Sequence, residues 1–189
     1  MKKLLYTAAA AVVLAATPAF AHTGTGAHAA GFAHGFAHPF GGLDHLLAMV
    51  AVGVWSALAM PKRVWLAPLA FVIAMLAGAA FATGGIALPM LETGIVASVI
   101  ALGVMIALRV DAGPVAGAAL VGAFALFHGN AHGLEATGAM AGYMAGFTAA
   151  TVLLHAAGVA IGHGLLRQQG VIRFAGSAVA AAGLLLMAT

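Results

Sequence analysis

The chain has 189 residues, of which 64% are hydrophobic and only 6% charged, with a mean hydropathy of +1.12. Soluble domains carry roughly a quarter charged residues, so this composition excludes an ordinary soluble enzyme and points to lipid as the solvent. The formal charge of +3 makes no nucleic-acid surface, because the basic residues are scattered in pairs and singles; the absence of cysteine excludes disulfides, thiolate metal sites and cysteine nucleophiles.

The first 21 residues read as a cleaved secretory leader. Lys2 and Lys3 form a basic start, Leu4 to Ala16 an apolar stretch, Pro18 a break, and Ala19-Phe20-Ala21 a small-x-small cleavage site. The mature chain is then expected to begin at His22 on the periplasmic side. Residues 22–37 form a His-containing N-terminal segment with His22, His28 and His34, and a tandem Gly-Phe-Ala-His repeat from Gly31 to His38. Such a low-complexity stretch is a spacer or a collector of metal.

Residues 38–189 are expected to form a domain of six transmembrane helices, so the fold class is all-α: a polytopic membrane bundle. The apolar runs are Leu43–Met60, Val64–Thr83, Thr93–Leu108, Pro114–Phe127, Ala139–Leu166 and Val171–Met187. Helices are the economical spans because hydrocarbon cannot satisfy loose backbone groups. Threading from an outer N-terminus puts Lys62, Arg63, Arg109, Arg167 and Arg173 on the cytoplasmic side, as the positive-inside rule requires. Glycines at i,i+4, namely Gly113 and Gly117, Gly138, Gly142 and Gly146, and Gly158 and Gly162, offer smooth faces for helix packing. Methionines such as Met49, Met75 and Met105 read as packing or lipid-facing residues.

Two polar clusters interrupt this apolar chain. In the first, His38 precedes Pro39 and two glycines, a pattern expected for a loop or a broken helix; Asp44 and His45 fall in the first turn of the first span. Asp44 alone would be a helix cap. With two histidines beside it, imidazole nitrogen and carboxylate oxygen suit divalent Ni, Co, Cu, Zn or Fe. In the second, His128, His132 and Glu135 stand at i, i+4 and i+7, on one face if the stretch is helical. The glycines around them also permit a broken helix. Both clusters lie at the outer ends of their spans and can meet around one pocket, where ionisable groups are costly and seldom incidental. His155 lies deep in the fifth span with Thr151 one turn before it, and His163 lies near the cytoplasmic end. His155 is either a lower rung of a metal or proton path or an interhelical hydrogen bond; His163 reads as an interfacial polar residue.

These motifs resemble the HupE/UreJ family of hydrogenase and urease accessory membrane proteins, regarded as nickel or cobalt permeases. The family pattern H-x5-D-H matches His38, Asp44 and His45, and F-H-G-x-A-H-G-x-E matches Phe127, His128, Gly129, Ala131, His132, Gly133 and Glu135. The H-x4-D-H spacing of the other nickel-cobalt permease family is not met. The leader and six spans also agree, so the resemblance covers the whole chain. It implies uptake of a divalent metal for metalloenzyme maturation, with these six polar residues in the pathway; nickel is favoured over cobalt as the cargo, and His155, from its place deep in the fifth span, is taken as a further metal-site residue. The implied partners are the metal ion, the bilayer and cytoplasmic metallochaperones, with no prosthetic group and no nucleic acid. The ligand types themselves accept nickel and cobalt alike.

Other classes fit the residues less well. A membrane-embedded zinc hydrolase has enough histidines and acids, but no H-E-x-x-H helix is present. The serines Ser56, Ser98 and Ser177 lack a G-x-S-x-G setting. A bis-His haem site pairing His128 with His155 sits poorly beside so many acids. No P-loop is present, so ATP coupling within this chain is excluded, and the expectation is a non-enzymatic permease.

Overall fold

The computed structural model describes residues 31–136 and 140–188. The leader, His22, His28 and Gly138 lie outside the described residues. Those described are helical, in seven elements: α1 (Phe32–Gly41), α2 (Leu43–Ala59), α3 (Leu66–Thr83), α4 (Leu91–Leu108), α5 (Pro114–Glu135), α6 (Met140–Leu165) and α7 (Gln169–Met187). The protein is an all-α polytopic membrane protein. Helices α3 to α7 are each long and apolar enough to cross a bilayer, and α1 with α2, bent by 88° at Gly42, makes the sixth candidate span. At about 1.5 Å per residue, the 17 residues of α2 reach close to the thickness of the hydrocarbon layer.

Two elements differ from the sequence expectation. Residues 32–37, assigned to an N-terminal segment, are helical and belong to the bundle: α1 packs on α6, where Gly35 meets the Tyr143 backbone and Gly146 meets the backbone of Phe32 and Phe36. Pro39 sits inside the last turn of α1, and the break comes three residues later, at extended Gly42. The other difference is α5. Its apolar run fades after Phe127, yet the helix continues to Glu135. His128, Asn130 and His132 are polar but fully buried, so the drop in hydropathy marks an inward-facing polar segment and not the helix end.

The bundle is held by paired close approaches: α3 with α5, α4 with α7, α2 with α6, and α1 with α6. A glycine lies at each. Gly53 of α2 faces Gly158 of α6, Gly103 of α4 faces Gly176 of α7, and Gly129 of α5 rests on the Met75 carbonyl of α3. Lipid supplies no hydrophobic drive between helices, so backbone proximity and van der Waals contact carry their association. Gly158 and Gly162 both face the α2 backbone, as their spacing suggested, whereas Gly117 admits the Trp55 ring. Gly113 instead precedes α5 with φ +70°, a backbone conformation that L side chains rarely adopt.

The ends of the bundle differ in charge. Lys62, Arg63, Arg109, Arg167 and Arg173 all lie at one end, in or beside the α2–α3, α4–α5 and α6–α7 connections. There the indole of Trp55 donates to Val110 O (2.9 Å) and the hydroxyl of Ser56 to Val64 O (2.7 Å), tying α2 to both neighbouring connections. At the opposite end are Asp44 and Glu92, in the first turns of α2 and α4, where the helix dipole favours a carboxylate, and Glu135.

Candidate metal centre

At the acidic end, three helices bring the two sequence clusters together. α1 supplies His38 from its last turn, α2 supplies Asp44 and His45 from its first, and α5 supplies His128, His132 and Glu135. Because α5 is continuous, these last three share one face. The four imidazoles form a connected row: ring centroids are 4.8 Å apart for His38 and His132, 4.5 Å for His132 and His45, and 4.8 Å for His45 and His128. The row joins a half-exposed mouth to a buried end, with partly and fully buried rings alternating along it. Glu135 is half exposed, His38 and His45 are partly buried, and His132 and His128 are fully buried.

At the mouth, His38 Nε2 lies 3.0 Å from Glu135 Oε2 and His132 Nδ1 lies 3.9 Å from the same oxygen. Ligand atoms of His38, His132 and Glu135 all lie within 4.8 Å of one another, close enough to share one ion. His132, at the centre, has no protein hydrogen bond at either ring nitrogen among the described residues. Buried polar atoms normally find partners, so two orphaned nitrogens suit a ligand that supplies the missing interaction.

Beyond the mouth, the hydrogen bonds select two tautomers. His45 Nδ1 lies 2.8 Å from Asp44 Oδ1, which also accepts the His45 backbone N–H at 2.7 Å. An ionised carboxylate only accepts, so Nδ1 of His45 carries the proton of the neutral ring and Nε2 is the nitrogen left to bind a metal. Ser98 of α4 plays the corresponding part for His128. Its hydroxyl donates to Ile95 O at 2.6 Å, and its oxygen lies 2.9 Å from His128 Nε2. A hydroxyl has one proton, so Nε2 must be the donor to Ser98 and Nδ1 is left with a lone pair. His45 Nε2 and His128 Nδ1 are both buried without a protein partner among the described residues. Orienting a histidine through its second nitrogen is the usual support for a metal ligand.

The match to known proteins covers nearly the whole chain. The model of the family described as "HupE / UreJ protein" matches residues 10–186. The chain is also similar to Protein HupE of Rhizobium leguminosarum bv. viciae, with 47% identity over 176 residues, 91% of this chain and 92% of the relative. The chain belongs to the HupE/UreJ family. No solved structure matches it.

In this HupE/UreJ chain, the six residues of the two motifs are brought together and His155 is not among them. His155 of α6 lies beyond Phe71, whose ring centroid is 5.6 Å from that of His128 and 5.0 Å from that of His155. The interhelical hydrogen bond weighed for His155 is absent among the described residues. His163 is exposed near the basic end, and exposed His34 meets the rings of Tyr143 and His38 at the mouth. Two further residues support the site. Asn130 donates to Gly78 O (3.2 Å) and Ile86 O (2.8 Å) and accepts from Leu88 N (2.8 Å), pinning the α3–α4 connection to α5. Its only sequence signal was its place between the two histidines. Ser98 had none beyond being a polar residue within an apolar span.

The role of Ser98 is testable. Ser98→Ala removes the acceptor for His128 Nε2–H and releases the tautomer, and loss of such a partner typically weakens metal affinity by about 10- to 100-fold. Ser98→Thr keeps the oxygen and should restore most of the affinity. Nickel titration of the two purified variants checks this. Equal affinity in Ser98→Ala and the parent would remove Ser98 from the site.

Proposed function

We propose that this protein is a secondary permease that carries divalent nickel, and cobalt as an alternative cargo, from periplasm to cytoplasm for metalloenzyme maturation. His38, Asp44, His45, His128, His132 and Glu135 form its outer site, and His155 lies on the path below. The observation that carries the reading is the connected row of four imidazoles with two carboxylates, which joins the half-exposed mouth at Glu135 to fully buried His128. An ion entering such a row exchanges water for nitrogen and oxygen ligands stepwise, so no single step strips its whole hydration shell. Ligands from separate helices can also part again to release it. The membrane potential suffices to drive entry: at about 2.3 kcal/mol per charge per 100 mV, a doubly charged ion gains about 4.6 kcal/mol moving inward.

Orientation follows from the basic end, which the positive-inside rule assigns to the cytoplasm. A cysteine introduced at Lys62 should resist an impermeant thiol reagent applied outside the cell, and one at Leu88 should react; the native chain has no cysteine background. Labelling at residue 62 from outside would reverse the topology.

The permease reading is tested by uptake of nickel and cobalt into proteoliposomes under an imposed inside-negative potential. Potential-dependent accumulation supports it. Tight metal binding with no accumulation, and hydrolysis of a lipid or peptide substrate instead, would favour a membrane-embedded metal hydrolase.

A further inference from the structure

We infer that Met49, Met75, Thr151 and His155 form a second cation site, deeper in the bundle, that accepts ions able to bind imidazole and thioether and rejects hard ions such as Mg2+. The inference rests on the permease reading and names how that path selects its cargo.

The four residues come from three helices: Met49 from α2, Met75 from α3, Thr151 and His155 from α6. Met49, Met75 and Thr151 are fully buried, and His155 is 2% exposed. The Thr151 hydroxyl oxygen lies 3.4 Å from Met49 Sδ, 3.7 Å from Met75 Sδ and 2.9 Å from Phe147 O. Its single proton goes to the nearer and stronger acceptor, the carbonyl one turn back. Neither sulfur receives it. Two thioethers and a hydroxyl oxygen therefore face one another with their lone pairs uncommitted. His155 is one turn further along the same helix face, and neither of its ring nitrogens has a protein partner among the described residues. An unmet buried polar atom is costly, and phenylalanine or leucine would fill this position without that cost. An ion held by the imidazole and the sulfurs satisfies the nitrogen and gives the sulfurs a role that packing alone does not require.

The position fits a relay. Phe71 touches His128 of the outer row on one side and His155 on the other, so the deeper group is the next polar station inward. The ligand chemistry changes between the two. The outer row includes Asp44 and Glu135, whose oxygens also bind Mg2+ and Ca2+. No acidic residue lies in the interior of α2, α3 or α6. Mg2+ demands oxygen ligands and gives up water reluctantly, so nitrogen and sulfur offer it nothing in exchange. Nickel and cobalt are borderline ions that bind imidazole and accept thioether beside it, and softer ions bind thioether more strongly still. The pair of sites thus gathers divalent cations with carboxylates and then excludes the hard ones.

The absence of cysteine makes the test direct: any metal–sulfur scattering in this protein comes from methionine. The full-length protein in detergent, loaded with nickel alone, is expected to bind two ions per chain and to show a sulfur shell in nickel K-edge X-ray absorption. His155→Ala and the double variant Met49→Leu/Met75→Leu should each bind one ion and lose the sulfur shell. The leucines nearly conserve volume, so this variant keeps the test valid if His155→Ala fails to fold. His132→Ala, which strikes the outer row, should also bind one ion but retain the sulfur shell. In proteoliposomes, nickel uptake by the double variant should fall about tenfold or more, in the range seen when groups supporting a metal are removed, and become sensitive to excess Mg2+. A single nickel bound by nitrogen and oxygen alone, lost in His132→Ala and kept in His155→Ala, overturns the deeper site and leaves the outer one standing. No nickel bound by the parent overturns both.

Discussion

Replacing His132 with alanine is expected to lower nickel and cobalt uptake at least 100-fold while the protein still inserts and folds. His132 is the centre of the row: its ring lies 4.8 Å from that of His38 and 4.5 Å from that of His45, and its Nδ1 approaches Glu135 Oε2 at 3.9 Å. Removing it breaks both the mouth triad and the link inward to His45. Groups that merely support a ligand cost about 10- to 100-fold in affinity or activity when removed, so loss of a ligand should exceed that. The fold should tolerate the change. Truncating a large buried side chain costs about 2–5 kcal/mol through lost contacts and a cavity. Removing two buried nitrogens without protein partners returns about 1–3 kcal/mol for each. Asp44→Asn separates charge from shape: it keeps the volume but takes away the carboxylate that holds His45 Nδ1–H, so uptake should fall without loss of stability. The readout is initial uptake rate in proteoliposomes, with thermal unfolding in detergent as the control for folding. Parent rates in both His132→Ala and His45→Ala would remove the cluster from the pathway.

Much of this arrangement could be read from spacing and charge. His128, His132 and Glu135 at i, i+4 and i+7 had to share a face once the stretch was helical, and the threading of charges put them at the same end as Asp44 and His45. Whether α5 continued past Phe127 stayed open in the sequence because hydropathy measures preference for lipid, and a helix turning His128 and His132 inward loses that preference without unwinding. α1 was missed for a related reason. Its Gly-Phe-Ala-His repeat has little helical propensity of its own and becomes helical against α6, where Gly35 and Gly146 let the backbones touch. Spacing within one helix reveals a smooth face but not its partner. Gly158 and Gly162 were legible as a face, whereas Gly53 on α2 and Gly103 on α4, each isolated in its helix, gained meaning only from the backbone opposite. Met49 and Met75 illustrate the same limit. Nothing in an apolar span marks which methionine faces lipid and which turns its sulfur toward Thr151.

Gly129→Leu is expected to prevent assembly of the bundle, and Gly129→Ala to destabilise it measurably. A side chain at residue 129 would run into the backbone carbonyl of Met75 on α3. The obstacle is main chain, so no rotamer change relieves it, and α3 would have to move away. The close approach extends in both directions: Gly78 of α3 faces the backbone of Leu126 and Asn130, and Gly133 faces Ala79 and Ala82. A wedge between them therefore opens the most extensive helix contact in the structure. Within lipid no hydrophobic gain closes the gap again, because tails solvate the exposed faces as well as the partner helix did. Overpacking costs about 1–3 kcal/mol in a well-packed core, and the alanine regains at most about 1 kcal/mol of helix propensity over glycine. Leucine adds three more carbons where one has no room. The damage should reach the site, since Asn130 would lose Gly78 and its hold on Ile86, and Phe71, carried on α3, would shift from its place between His128 and His155. Gly164→Ala in α6 is the matched control: it makes the same change within a helix, and no neighbouring atom lies within 4 Å of the added carbon. Thermal stability by size-exclusion chromatography in detergent distinguishes them. Gly164→Ala should run as the parent, Gly129→Ala should unfold at a lower temperature, and Gly129→Leu should yield little monodisperse protein. A Gly129→Leu variant that is as stable as the parent would mean that α3 and α5 are not in backbone contact.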